Sequence, residues 1–174
     1  MSPAITIRRL SPEAVLVAAP TLADVLLDCV AGGASVNFMA DLSRARAEGF
    51  WRGVAEAARD DGRVVIVAEA DGVIVGTVQL VPVRIDNQPH RAEVAKLLVS
   101  RAVRGAGVGA ALMGGIEAAA RDLGRTLLTL DTVDGEAGDR LYRRMGWSFV
   151  GSIPNYALYP DGRPAATNIF YKEI

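Results

Sequence analysis

Residues Ala92 to Gly124, AEVAKLLVSRAVRGAGVGAALMGGIEAAARDLG, decide how the rest of the chain is read. Val94, Leu97, Leu98 and Val99 make an apolar run of strand length, and Ser100-Arg101-Ala102-Val103 is a short polar connection. Further on, Val108, Ala111, Leu112, Ile116, Ala119 and Leu123 recur with the 3.6-residue period of an amphipathic helix. Between strand and helix lies Arg104-Gly105-Ala106-Gly107-Val108-Gly109, which puts the glycines at a helix N-terminus. Backbone N–H groups there lack intrahelical partners and carry the positive end of the helix dipole. Glycine removes the Cβ that would hold a phosphate away, and Arg104 adds a positive charge. The stretch predicts a phosphate cradle.

A dinucleotide is one candidate for that phosphate. Gly105-x-Gly107-x-x-Ala110 fits the loose dinucleotide fingerprint, and Asp131 lies near the distance of a ribose-binding acid. Three features oppose this. A polar linker with two arginines separates the strand from the first glycine. Only about 65 residues remain for the parallel strands of such a sheet. The preceding segments also read as hairpin-connected strands.

Upstream, Ala4 to Arg9 reads as an edge strand. Ser11-Pro12-Glu13 starts a helix, with serine at the N-cap and proline at N1. The helix extends to about Val30 on a stripe of Leu22, Val25, Leu26 and Cys29, with a kink or break expected at Pro20. Gly32-Gly33 ends it. Residues 43–60 form a second helix with Ala47, Phe50, Trp51, Val54 and Ala58 facing inward, capped by Asp41 or Ser43. From Arg63 the period shortens. Val64 to Ala70, the Asp71-Gly72 turn and Val73 to Val83 make a β-hairpin. A turn at Asp86-Asn87-Gln88-Pro89 leads to the strand from Arg91. Downstream come a strand at Thr126–Thr132, a helix at Glu136–Met145 and two closing strands. Their connection, Asn155-Tyr156-Ala157-Leu158-Tyr159-Pro160-Asp161-Gly162, reads as a long hairpin loop. Adjacent strands followed by a crossover give an α/β (α+β) chain with a mixed sheet and helices against it.

At 174 residues the chain, read as one domain over 1–174, has room for a single core. A net charge of −1 gives no electrostatic case for nucleic acid. No leader is expected in Met1-Ser2-Pro3-Ala4, and no apolar run of membrane-spanning length. Cys29 is the only cysteine, which excludes an internal disulfide and a multi-cysteine metal site. No metal and no membrane partner are expected, and the compartment expected is the cytoplasm. Oligomeric state, monomer or homodimer, stays open.

Arg104-x-x-Gly107-x-Gly109, preceded by Leu97-Leu98-Val99 and followed by Leu141-Tyr142-Arg143-Arg144-Met145-Gly146-Trp147, resembles the acyl-CoA signature of the GNAT N-acetyltransferases. The resemblance implies a mostly antiparallel sheet of about seven strands, splayed at its centre and flanked by about four helices. It implies acetyl-CoA as donor, with the pyrophosphate on the loop at Arg104, Gly105, Gly107, Val108, Gly109 and Ala110. The pantetheine arm lies between the splayed strands. A backbone N–H at Leu98 or Val99 faces the thioester oxygen. The acceptor implied is a small-molecule amine; likeness to a toxin-resistance member narrows it to an amino-acid-like molecule, such as a β-lactam antimetabolite. A protein or peptide amine, or a non-catalytic acyl-CoA sensor, is the alternative.

Transfer to an amine needs a base, donors for the oxyanion and an acid for the leaving thiolate. The resemblance assigns the acid to Tyr142. Glu93 and Asp131 are the two candidate bases, with a water relay as a third route. Asn37, Phe38 and Asp41 on one loop, and Asn155 and Tyr156 on another, are candidates for the acceptor pocket. His90 is expected in solvent, as is the Arg140, Arg143, Arg144 cluster. Where many members carry an asparagine, this chain has Gly135, so the usual amide contact does not carry over by resemblance.

Overall fold

β-branched residues either side of Asp71-Gly72 pair as β2 (Val64–Ala70) and β3 (Val73–Pro82), with both turn residues at positive φ. The computed structural model describes residues 4–174; of the expected leader-free start, Met1 to Pro3 lie outside them. Around this hairpin the chain lays down β1 (Ile5–Leu10), α1 (Pro12–Ala31), α2 (Arg44–Asp60), β4 (Arg91–Val99), α3 (Val108–Asp122), β5 (Leu127–Val133), α4 (Ala137–Arg144), β6 (Ser148–Leu158) and β7 (Pro164–Glu173). The seven strands form one sheet in the order β1-β2-β3-β4-β5-β7-β6. Only β4 and β5 are parallel, because α3 carries the chain back across the sheet between them.

Each face of the sheet has its own core. Val65, Val67 and Leu98 pack with Leu22, Leu26 and Cys29 of α1 and Trp51 and Val54 of α2. Ile66, Val78, Leu80 and Leu128 pack with Leu112, Met113 and Ile116 of α3 and Tyr142 of α4. The α3 stripe differs from the sequence reading at two positions. Leu123 is exposed and Ala111 faces out, whereas Met113 and Ala120 are fully buried. Glu117 is buried too, neutralised by Lys172 of β7 at 2.8 Å.

Ser11 caps α1 as expected, its Oγ accepting from the Ala14 N–H at 3.2 Å. The expected break at Pro20 does not occur, and α1 runs through it as one element. Proline frees the carbonyl four residues earlier, and both Leu16 and Pro20 are exposed, so water can take that bond. Ser43, not Asp41, caps α2. Against the sequence expectation, α1 is long and apolar enough to cross a bilayer by composition alone. Its apolar stripe is instead spent on the sheet and α2, and it carries Glu13, Asp24 and Asp28.

The connection before β7 is shorter than the sequence reading gives. Asn155 to Leu158 belong to the strand, and the connection to β7 spans only 159–163. A bulge between Ile153 and Ala157, with Asn155 at φ 55°, absorbs the residues that read as loop. Pro154 is tolerated because β6 is the sheet edge.

Trp51 is fully buried, yet its Nε1–H finds no acceptor. Trp51→Ala should cost about 3–5 kcal/mol in chemical denaturation. Trp51→Phe removes the orphaned donor while keeping most of the volume and should cost clearly less.

Candidate active site

Pairing between β4 and β5 stops after three residue pairs: Arg91–Leu127, Ala92–Leu128 and Glu93–Thr129. Beyond them β4 keeps only β3 and β5 keeps only β7. A local cause is visible in β4. Between the pairs Thr77–Leu98 and Gln79–Ala95, β4 has one residue too many, and Lys96 adopts φ 52°. Such a bulge bends its strand and increases its twist, which carries Val94–Val99 away from β5. The two strands therefore open into a cleft edged by unpaired backbone groups, where an extended ligand arm can take the place of a strand.

The glycine loop sits at the wide end of this cleft. A 3₁₀ turn at Arg101–Val103 leads to Arg104 in extended conformation, then Gly105 at φ 83° and Gly107 at φ 79°. A side chain would be strained at both glycines. The first bond of α3 is from Ala111 N–H to the Gly107 carbonyl at 3.0 Å, so the N–H groups of Val108, Gly109 and Ala110 have no helical acceptor. Gly109 serves a second purpose, since a Cβ there would stand 3.2 Å from Leu141 of α4. These groups fit a pyrophosphate. Arg104 turns back, its Nε donating to the Val99 carbonyl at 3.4 Å.

α1 holds this loop from behind. Asp28 accepts from both the backbone N–H and Nε of Arg101, each at 2.8 Å. Burial alone would raise the Asp28 pKa, but the Arg101 bonds and charge outweigh it and hold the carboxyl below the usual range. A Cβ on Gly32 would come within 2.8 Å of the Arg101 Cδ, so that glycine leaves room for the arginine stem.

Tyr142 and Asp131 meet at the cleft. Tyr142 is 6% exposed, its ring 5.8 Å from Trp147 and 6.1 Å from Phe170 between centroids. Burial, and then the charge of Asp131, push its phenol well above the ordinary tyrosine range, so it stays protonated at neutral pH. Asp131 lies on β5 just past the last pair with β4. Its pKa is raised, chiefly by burial, with Lys96 pulling it down and Glu93 pushing it up. Glu93 is the last β4 residue paired to β5; its exposed carboxylate accepts from Arg91 Nη1 at 3.1 Å.

The remaining candidates are spread more widely. Asn37 is exposed at φ 74°. Phe38 packs edge-on against Phe50 at 5.3 Å under the Arg46 guanidinium, so it is first a packing residue of α2. Asp41 is exposed, as are Asn155 and Tyr156 on the edge strand. His90 is exposed at its turn. Cys29 is buried with Sγ 3.5 Å from the Val99 carbonyl, and burial raises its thiol pKa. Arg140, Arg143 and Arg144 are exposed as expected; Arg143 also pairs with Asp139 at 3.2 Å and lies over the Phe149 and Phe170 rings.

Two residues escaped the sequence reading. One is Lys96, whose place depends on the bulge. The other is Asn168 of β7, which is buried and donates to Asp134 at 2.7 Å and Asp139 at 3.0 Å. It fixes the turn containing Gly135, so a side-chain amide does reach this turn, from a distant strand. Among the described residues no group of three or more His, Cys, Asp or Glu could hold a metal ion.

A sheet opened beside a glycine-rich anion cradle, with a buried phenol and a carboxylate at the opening, suits an acyltransferase that takes its acyl group from a CoA thioester. The chain belongs to the acetyltransferase (GNAT) family, whose sequence model matches residues 30–147, more than half of its length. It is an acetyl-CoA-dependent N-acetyltransferase, and the dinucleotide reading falls away. Solved structures with the same fold include ribosomal-protein-alanine N-acetyltransferase from Brucella melitensis, 22% identical with a TM-score of 0.78, covering 97% of this chain and 99% of that one. Another is yncA, a putative acetyltransferase from Salmonella typhimurium with its cofactor acetyl-CoA, at 19% identity and TM-score 0.79 over 98% and 94% of the two chains. A putative phosphinothricin N-acetyltransferase aligns at 17% identity and TM-score 0.76, over 98% of each chain.

Asp28→Ala should loosen the cradle without touching the chemistry. We expect acetyl-CoA affinity, measured by calorimetry, to fall roughly tenfold, the scale of one lost hydrogen bond to a charged group.

Proposed function

We propose that the chain, acting as one domain over 1–174, acetylates the primary amine of a small, amino-acid-like molecule in the cytoplasm. The observation that carries this reading is the bridge between the α1–α2 segment and the β6–β7 hairpin. Ala40 N–H donates to the Pro160 carbonyl at 3.1 Å and Ser35 Oγ to the Leu158 carbonyl at 2.7 Å. A peptide or protein acceptor would need an open groove between residues 34–42 and 154–162, and the bridge joins those segments. The sequence likeness points the same way. Gly32-Gly33-Ala34-Ser35-Val36, Phe38-Met39-Ala40-Asp41-Leu42, Arg91-Ala92-Glu93-Val94, Leu130-Asp131-Thr132 and Pro160-Asp161-Gly162 resemble the tabtoxin resistance protein. That likeness supports a β-lactam antimetabolite as acceptor and detoxification as the role.

Acetyl-CoA supplies the thioester. Asp131 is the better placed base, because partial desolvation raises its proton affinity and it stands at the open part of the cleft, whereas Glu93 is engaged by Arg91. Asp131 takes the ammonium proton, and the free amine attacks the carbonyl carbon directly. Backbone N–H groups at Leu98 or Val99 face the developing oxyanion. Tyr142 gives its proton to the departing CoA sulfur as the carbon–sulfur bond breaks. The loop residues Arg104, Gly105, Gly107, Val108, Gly109 and Ala110 hold the pyrophosphate. Asn37, Phe38, Asp41, Asn155 and Tyr156 border the acceptor side. A non-catalytic sensor would require neither Tyr142 nor Asp131.

Excess acetyl-CoA, at about a hundred times its Kd, should stabilise the protein by roughly 2.7 kcal/mol, and NAD should not. In a CoA-thiol release assay Tyr142→Phe should lower kcat about a hundredfold with little change in acetyl-CoA affinity. An unaltered kcat removes the acid assignment.

Because the Asp131 pKa is raised and its base form is the active one, kcat/KM should fall as pH drops through that raised value. This acid limb should lie above the ordinary aspartate range and disappear in Asp131→Asn.

A further inference from the structure

Lys96 is a buried-edge cation that the transfer chemistry does not use. It is the extra residue of the β4 bulge, at a positive φ that non-glycine residues seldom adopt. That conformation aims it out of the regular alternation in which Val94, Leu97 and Val99 face the α3 core. Across the opening stands Asp131. Each lies close enough to act on the other's charge, and among the described residues no hydrogen bond or ion pair joins them. Arg63, a like charge, also acts on Lys96. Arg63 is already tied to Asp61 at 3.4 Å and Gln79 at 3.2 Å, and its Nε and the Gln79 Nε2 lack acceptors. Of the charged groups that act on Lys96, only Asp131 is acidic. Burial weakens its hold on the proton, with Asp131 offsetting part of that effect.

We propose that Lys96 is a specificity-determining residue that binds the carboxylate of the acceptor, while Asp131 opposite receives its ammonium. An α-amino acid carries both charges on one carbon, so it can bridge the gap that the protein leaves between these side chains. The preferred acceptor is then a zwitterionic amino acid, and simple amines lack the second anchor. Placing the carboxylate at Lys96 also orients the amine toward Asp131 before the proton is taken. The assignment rests on the small-amine reading above and narrows it.

The test uses matched pairs of acceptors, α-amino acids against their α-carboxamides, with purified protein and CoA-thiol release as readout. Wild type should favour the carboxylate of each accepted pair by roughly tenfold or more in kcat/KM, mostly through KM. Lys96→Met should bring that ratio close to one, and Lys96→Arg should keep part of it. The ratio is informative because losing Lys96 also shifts Asp131, and that shift affects both members of a pair alike. The acetyl-CoA thermal shift reports whether each variant is folded. A variant that loses it is replaced by Lys96→Gln. Equal losses on both members of a pair, or a wild type indifferent to the carboxylate, overturn the assignment while leaving small-amine transfer standing. Acetyl-CoA binding with no turnover of any pair overturns both.

Discussion

The parting of β4 from β5 is the constraint on which the rest of the structure depends. A sheet gains by pairing every backbone group, and leaving two central strands unpaired is a cost the fold must cover elsewhere. It is covered by β3 and β7, which hold the outer edges of the two strands along their lengths. Two separate cores on opposite faces keep the strands from sliding back together. The bulge at Lys96 turns β4 outward, and the opening leaves backbone groups free for the pantetheine arm. Function here comes from a sheet prevented from closing.

The parts of the site reach that opening from different directions. The cradle is set by α3 and anchored to α1 through Asp28 and Arg101. Tyr142 comes on α4, steadied by Trp147 and Phe170. Asp131 comes on β5, and Asn168 of β7 secures the turn between β5 and α4. The α1–α2 segment and the β6–β7 hairpin are joined to each other by hydrogen bonds.

Much of this was legible because it is local. The β-branched runs of β2 and β3 around Asp71-Gly72, the helical period of α3, the Ser11 cap and the glycines before Val108 each depend on neighbours within a few residues. Errors arose where local signals met tertiary context. Pro20 signals a break, but exposure of Leu16 and Pro20 lets water satisfy the freed carbonyl. Asn155 and Pro154 signal a loop, but an edge strand can bulge around them. Asp41 is as good a cap as Ser43 by type, and only the path of the chain chooses.

The sequence by itself determined the class of fold and the phosphate cradle, because glycine conformation, helix polarity and hydrophobic period are properties of short segments, while the donor came from the family resemblance. It also named Tyr142, Glu93 and Asp131 through resemblance. Only the tertiary structure separated the two carboxylates, partly desolvating Asp131 at the opening and tying Glu93 to Arg91. Only the tertiary structure brought Lys96 opposite Asp131 and Asn168 to the turn at Gly135. Desolvation and through-space charge depend on what other strands place nearby, and that information is not contained in any one stretch of chain.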